Sequence, residues 1–334
     1  MAKQPTIERS ENYGYYSDLL WCAVPLTGMA WYYYGLRPVL LMLAALVTAY
    51  LCDCALAPLH GEGYRAHEPS SECFAALIVL LMPASVSYGI VIVAVIAAVL
   101  VKEAFGGEGH YPFHPAAVGA AIAGVSWSEH VYYYPAPGTQ LPIWGEINDN
   151  LVQGMNETLR SGGLPSASTM NLLTGNVSAG IGTGAALVIL ACGLVLWTQK
   201  DVHIGASASF LITCGLIAFF FPRQVGLADS TLFSSLLPRL QGIRDELHTG
   251  AVLFCAVFLL NEPYTCAHHR LGRILYGALV GAATMGFRYF GVYETGVCFA
   301  LLAVNSVSAL IDRTEERLYR LLHRLPSERK EAAE

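Results

Sequence analysis

LHTGAVLFCAVFLLNEPYT, residues 247–265, decides how this chain is read. Its apolar run, 247–261, stops just before Pro263 and falls short of the roughly 20 residues a helix needs to cross bilayer hydrocarbon. A second run, 72–83, is shorter still and ends on Pro83. Proline stops a helix because it has no N–H to donate and its ring clashes with the preceding turn. Two short, proline-stopped apolar segments, one in each half of a chain, are how the discontinuous helices of transporter-like folds read in sequence. Working outward, longer apolar stretches at 19–35, 38–56, 84–102, 113–129, 181–198, 204–221, 273–290 and 293–311 bring the set to about ten. The pattern predicts an all-α polytopic membrane protein with broken helices. A Gly-rich, Pro-bearing interruption beside a short apolar segment in each half suggests an internal two-fold duplication.

Composition agrees. Hydrophobic residues fill 54% of the 334 positions and charged residues 13%, where soluble domains carry about 25% charge, so the solvent for most of the chain is lipid. The net charge of −6, with no basic stripe interleaved with aromatics, excludes a nucleic-acid partner. Residues 1–18 are polar and lack the apolar core of a signal peptide, so no cleaved leader is expected. The nine cysteines are scattered through apolar runs without CxxC spacing, which fits neither a disulfide framework nor an iron–sulfur run, and no metal site is expected.

Lysine and arginine set the orientation. With ten spans, thirteen of these residues fall on the side that holds both chain ends and six on the other, which puts both termini in the cytoplasm and residues 130–180 outside it. The divisions that follow are a cytoplasmic segment 1–18, a first membrane half 19–129, an extracytoplasmic loop 130–180, a second membrane half 181–312 and a charged cytoplasmic tail 313–334. The loop is rich in Gly, Pro, Ser, Thr and Asn, and long loops without secondary structure of their own are functional or disordered. The tail alternates charges at helical spacing and reads as a solvated surface helix.

Three stretches carry residues suited to chemistry. In FGGEGHYPFHPAAVG, residues 105–119, Gly106, Gly107 and Gly109 permit positive φ and close backbone approach, and a helix starting near Pro115 would aim its N–H groups into the turn. On spacing alone a tight interhelical loop explains it better, because a glycine-rich turn is a weak motif. In 247–265, Glu262 sits at a helix break, where a carboxylate and uncoiled carbonyls offer oxygens to a cation or proton; a solvated acid at a helix end explains it equally. Asp53 and Asp312 are weighed the same way, as ion-path positions with structural readings of equal weight. SGGLPSASTMNLLTGN, residues 161–176, reads by itself as a polar loop.

FGGEGHYPFHPAAVG, GAVLFCAVFLLNEPYT, GRILYGALVGAATMGFRYFGVYETGVCFALLAVN and ALID, in this order and at these separations, resemble the family of the D subunit of the Rnf complex and the B subunit of the sodium-pumping NADH:quinone reductase. The similarity runs from about residue 15 to 312 and is specific because several blocks occur together. It implies a ten-helix, internally duplicated bundle resembling urea and ammonium transporters. It also implies FMN joined as a phosphoester to a threonine in an extracytoplasmic loop with a sequence like Asp-x-x-Ser-Gly-Ala-Thr. Ser166, Ala167, Ser168 and Thr169 match its last four positions, so Thr169 is the implied attachment point and Ser168 the neighbouring hydroxyl. The leading acid is missing: Gly163 stands in its place. His114 stands where the family has Asn, in a block implied to contact flavin with Gly106, Gly107 and Gly109, and Asn261–Thr265 replaces a Thr-Asp-Pro-Val-Thr-like run.

The resemblance implies a bacterial or archaeal cytoplasmic-membrane subunit with no catalysis of its own. It would pass electrons through covalent FMN, with a second, non-covalent riboflavin as a further cofactor, in a ferredoxin:NAD route coupled to Na+ or H+ movement. Other Rnf-type subunits and a flavin transferase would be its partners, since the chain has neither a dinucleotide fingerprint nor a cysteine cluster. Two alternatives remain: the quinone-reductase B subunit, and a urea- or ammonium-type channel without redox chemistry.

Overall fold

Glycine and proline punctuate the helices. α1 (Thr6–Tyr34) stops at Gly35, whose φ of 79° suits glycine, and α2 (Arg37–Leu56) restarts with Pro38 in its first turn, where a missing N–H costs nothing. The computed structural model describes residues 6–57, 69–107, 109–145, 147, 151–163, 167–223 and 236–331. α3 (Ser70–Leu81) ends where Met82 turns extended ahead of Pro83, so it is a half-length helix, buried along its whole length from Ser70 to Leu81 apart from Glu72. α4 (Tyr88–Ala104) and α5 (Pro115–Ser126) complete the first half, α5 opening on proline.

The second half contains α9 (Ala186–Gln199), α10 (Ile204–Phe220), a broken element and two long helices. The broken element is α12 (Val252–Phe254) running into a π-helical turn, Cys255–Leu259, entered through Ala251 at a φ of 61°. α13 (Arg270–Phe290) and α14 (Gly296–Glu331) follow. The contacts of the two halves correspond: α3 lies against α1 and α2 as the π-helical turn lies against α9 and α10, α2 packs on α4 and α4 on α5, and α10 packs on α13 and α13 on α14. Glycine lets the backbones touch in both halves. A Cβ on Gly119 of α5 would stand 2.5 Å from the Ala94 carbonyl of α4, and one on Gly277 of α13 would stand 2.2 Å from the Ala206 carbonyl of α10. Where lipid supplies no hydrophobic drive between helices, such close approach supplies the packing.

Arg37–Leu56 and Gly296–Glu315 are long and apolar enough to cross a bilayer by themselves, and only 22% of the first is buried. Its outward Leu43, Val47 and Leu51, with Trp21 and Trp31 on α1, form an apolar exterior suited to lipid. Helices stand over each of the ten predicted stretches, with three differences. α1 begins at Thr6 and α14 runs to Glu331, so residues 6–18 of the polar segment and 313–331 of the charged tail continue α1 and α14, because extending an existing helix avoids the cost of nucleation. The stretch 113–129 is helical from Pro115 to Ser126, breaks at Trp127 and resumes at Ser128. Residues 247–261 are not one helix: they hold the end of α11 (Leu236–His248), a turn, and α12. α11 mixes Arg, Asp and Glu with leucine, so an apolar-run reading passes over it.

The 130–180 stretch has structure of its own, contrary to the expectation. α6 (Ser128–Val131) leads to an antiparallel pair, β1 (Tyr133–Pro135) and β2 (Leu151–Gln153), in the register Tyr133↔Gln153, and then to α7 (Met155–Arg160) and α8 (Thr169–Thr174). The chain then seats on the broken end of α3, where Ile181 N–H donates to Met82 O (2.9 Å) and Gly182 N–H to Leu80 O (2.7 Å). Carbonyls that the helix break leaves free are satisfied there, as the membrane interior demands.

Candidate functional site

Ser168 is the N-cap of α8: its Oγ accepts the Asn171 N–H at 3.2 Å, and Gly175 closes the helix at a φ of 86°. Thr169, the first helical residue, is exposed and keeps its hydroxyl outside the cap. Arg244 of α11 reaches it, Nη1 donating to Thr169 Oγ1 at 2.8 Å. The other edge of this guanidinium faces Asp245, with Nε at 2.8 Å and Nη2 at 2.6 Å from Oδ1, which aims Nη1 at the threonine. An open cleft of about 340 Å3, lined in part by Gln153, Thr158, Ala167 and Asn171, borders the same segment. Ser166 lies outside the described residues. Gly163 N–H donates to Thr158 O, and a Cβ there would stand 3.1 Å from both that oxygen and Thr158 Cγ2, so an aspartate would press on this turn.

Behind this surface lies a buried ionic knot. Glu246 Oε1 and Oε2 accept from Arg223 Nε (2.7 Å) and Nη2 (2.8 Å), and Arg288 Nη2 stands 2.9 Å from Oε2. Arg223 and Arg288 both also donate to Asn156 Oδ1 of α7, at 2.9 and 3.2 Å, and Arg288 donates to the Thr249 hydroxyl. Beside it, Glu294 Oε1 accepts the Asn156 N–H at 3.0 Å and takes the capping place at the start of α7. Gly154 is glycine for that reason: a Cβ there would lie 2.3 Å from the Glu294 carboxyl carbon. Burial pushes the Glu294 carboxyl up to about 7, against the lowering effect of the Asn156 N–H and of Arg288 and Arg223. In the α9–α10 loop, burial and the Asp18 carboxyl raise Asp201 to about 6, and burial with Arg273 nearby lowers His203 to about 4.

Glu262 belongs to the other end of the molecule. Its Oε1 accepts from Tyr111 (2.7 Å) and Tyr16 (3.1 Å), and its Oε2 from the backbone N–H groups of Tyr264 (3.0 Å) and Thr265 (2.7 Å). This fully buried carboxylate therefore ties α1 and the 105–114 loop of the first half to the break of the second. Gly106, Gly107 and Gly109 adopt φ of 109°, 80° and 83°, as the sequence predicts for a tight turn. His114 is the residue before α5, wholly buried against Phe74, and among the described residues neither ring nitrogen has a partner. Asp53 accepts from Ser71 Oγ (2.9 Å), which in turn accepts from Lys102 Nζ (2.8 Å), an internal relay of polar groups. Asp312 holds the His268 N–H and Nδ1, both at 3.0 Å, tying α14 to the loop before α13.

The predicted site residues therefore do not converge. Thr169 and Ser168 lie with α11 and the Phe290 end of α13, whereas Gly106, Gly107, Gly109 and His114 lie with Glu262 at the Arg270 end, a helix of 21 residues away, about 30 Å. Arg244, Arg223, Glu246, Glu294 and Asn156 escaped sequence reading because their meaning depends on contacts across the chain. Arg288 was findable: an arginine inside the apolar run 273–290 demands a partner.

The sequence profile described as the NQR2, RnfD, RnfE family matches residues 1–320 of the chain. Proteins named as the D subunit of an ion-translocating oxidoreductase complex are similar along nearly their full length. That of Klebsiella pneumoniae (strain 342) is 27% identical over 90% of this chain and 93% of its own. The one from Escherichia coli (strain ATCC 8739) is 28% identical over 90% and 92%, and that of Colwellia psychrerythraea (strain 34H) 26% over 90% and 92%.

Proposed function

Since this chain belongs to the NQR2, RnfD, RnfE family, we propose that it is the flavin-carrying membrane subunit of an ion-translocating oxidoreductase complex. In this reading FMN is joined through its phosphate to Thr169, and electrons pass between partner subunits in step with Na+ or H+ movement. The observation that carries the assignment is the pair of neighbouring hydroxyls: Ser168 Oγ is committed to capping α8, while Thr169 Oγ1 is exposed and faces a guanidinium suited to a phosphate.

The residues present fit the cofactor. Thr169 supplies the ester oxygen, Arg244 the positive charge beside it, and Asp245 holds Arg244 in place. FMN supplies one- and two-electron redox chemistry when bound; the chain supplies position and electrostatics.

The corresponding contacts of the two halves support an internally duplicated, inverted bundle in which α3 and the α12–π segment are the discontinuous helices. Both termini then lie in the cytoplasm and Thr169 outside it. Glu262, at the second break, is the first ion-path residue of this reading, with Asp53 and Asp312 near the same face.

Fluorescence of the denatured, gel-separated chain from cells with a competent flavin transferase tests the assignment, together with the mass of the peptide spanning 161–176. The wild-type chain should fluoresce and Thr169→Val should not. An unmodified wild-type peptide removes the flavin-carrier reading and favours a conduit of the urea or ammonium type.

A further inference from the structure

Two buried carboxylates stand at opposite ends of α13. Glu262 lies just before its first residue, Arg270, and Glu294 just after its last, Phe290; the 21 residues between span about 30 Å, the thickness of bilayer hydrocarbon. Their surroundings differ. Both oxygens of Glu262 are filled by protein donors. Glu294 instead borders a cavity of about 20 Å3, room for one water molecule, whose walls include Ser178, Gly180, Thr183, Thr249 and Gly250. Those walls come from two special places: the 180–183 segment seated on the broken end of α3, and the turn that leads into α12. The interruption of one half thus meets the interruption of the other at Glu294.

Among the described residues, charged and titratable groups face this carboxyl from several elements. Asn156 of α7 donates its N–H, and the Glu157 side chain next to it is taken up by Arg160 at 2.8 Å. His248 approaches from α11, Arg288 from α13, Arg223 from beyond α10, and Tyr134 from β1, while the Thr295 hydroxyl bonds to the Tyr132 hydroxyl. Arg223 and Arg288 are paired with Glu246, at 2.7 and 2.9 Å, and among the described residues no ion pair is made to Glu294. Two guanidinium charges nearby oppose the entry of a metal cation, whereas a proton on the carboxylate leaves a neutral group.

We propose that Glu294 is a proton-exchange site at the membrane face opposite Glu262, taking a proton from a hydronium in the adjoining cavity to leave a carboxylic acid and water, and returning it as the complex turns over. The inference rests on the reading of the chain as an ion-translocating subunit. Burial that raises this carboxyl to about 7 leaves it partly protonated near neutrality, whereas a solvated glutamate near 4.5 stays ionised there.

The test is Glu294→Gln in the intact complex in proteoliposomes. Glutamine keeps an oxygen for the Asn156 N–H, and with it the start of α7, but takes up no proton. The expected result is loss of most electron-driven proton transport with the complex assembled, and loss from the difference infrared spectrum of a carboxyl band that titrates near neutrality. A Gln variant that transports with the wild-type rate and pH profile overturns the proposal and leaves Glu294 a helix cap; so does a spectrum in which no titrating carboxyl disappears. A wild-type complex that moves no ions overturns the ion-translocating reading instead, and the infrared titration still decides whether Glu294 exchanges a proton.

Discussion

Glu246→Gln removes the anion that two buried guanidinium groups share. Arg288 and Arg223 have side chains 0% and 8% exposed, and Glu246 is 4% exposed, so water cannot substitute for the lost charge. The carboxylate accepts at 2.7, 2.8 and 2.9 Å. Glutamine retains one acceptor and turns an amide NH2 toward a guanidinium that can only donate. Removing one partner of a buried ion pair costs about 3–5 kcal/mol, and the retained oxygen places this variant near 3. With a melting entropy of about 2.1 cal/mol/K per residue, each kcal/mol shifts the melting temperature of this 334-residue chain by about 1.5 °C, so a fall of about 4 °C is expected. The purified protein reports its own unfolding to a thiol-reactive dye, because seven of its nine cysteines are buried. Glu246→Gln/Arg288→Gln, which removes one of the stranded cations, should lose less than the sum of the two single variants. A melting temperature within about 1 °C of wild type for Glu246→Gln, or strict additivity in the double variant, refutes the account of a shared buried anion.

Other outcomes follow from the same geometry. Gly154→Ala places a methyl 2.3 Å from the Glu294 carboxyl carbon; overpacking and the loss of the bond to Asn156 should together cost about 3–5 kcal/mol in the same melting assay, with α7 more open to proteolysis. The Glu294 carboxyl binds its proton more tightly folded, at about 7, than unfolded, near 4.5; its stabilising contribution is therefore complete below about 4.5 and lost as the pH rises through 7. The shift is equivalent to about 3 kcal/mol. Melting temperatures across that window should fall in the wild type and stay level, for this contribution, in Glu294→Gln. Arg244→Gln should lower the flavin fluorescence per chain, with Arg244→Lys recovering most of it; equal yield in all three proteins removes Arg244 from the site. Tyr111→Phe leaves Glu262 without its 2.7 Å partner and should cost about 1.5–3 kcal/mol; an unchanged melting temperature would show that bond to be dispensable.

Local rules made much of the architecture readable. Apolar length, proline stops and glycine turns placed helices over ten stretches, put breaks beside Pro83 and Pro263, and predicted the left-handed glycines 106, 107 and 109. Each of these follows from neighbouring residues and the demand that lipid makes on every backbone N–H and C=O. α11 stayed hidden because a polar helix held by tertiary ion pairs has no apolar run.

By itself, then, the sequence determined a membrane-embedded helical chain, its family, and Thr169 as the residue to watch. The tertiary structure decided what surrounds that residue: Arg244 brought in from α11, Ser168 withdrawn into a cap, and the glycine block with His114 left at the far end of α13. It also decided that Glu262 and Glu294 are both buried, one closed by four donors and the other open to a cavity. The physical reason is one of range. Helix ends and membrane residence arise from contacts within a few residues, whereas the burial of a charge and the partner it finds depend on segments more than a hundred residues apart, such as Asn156 and Glu294.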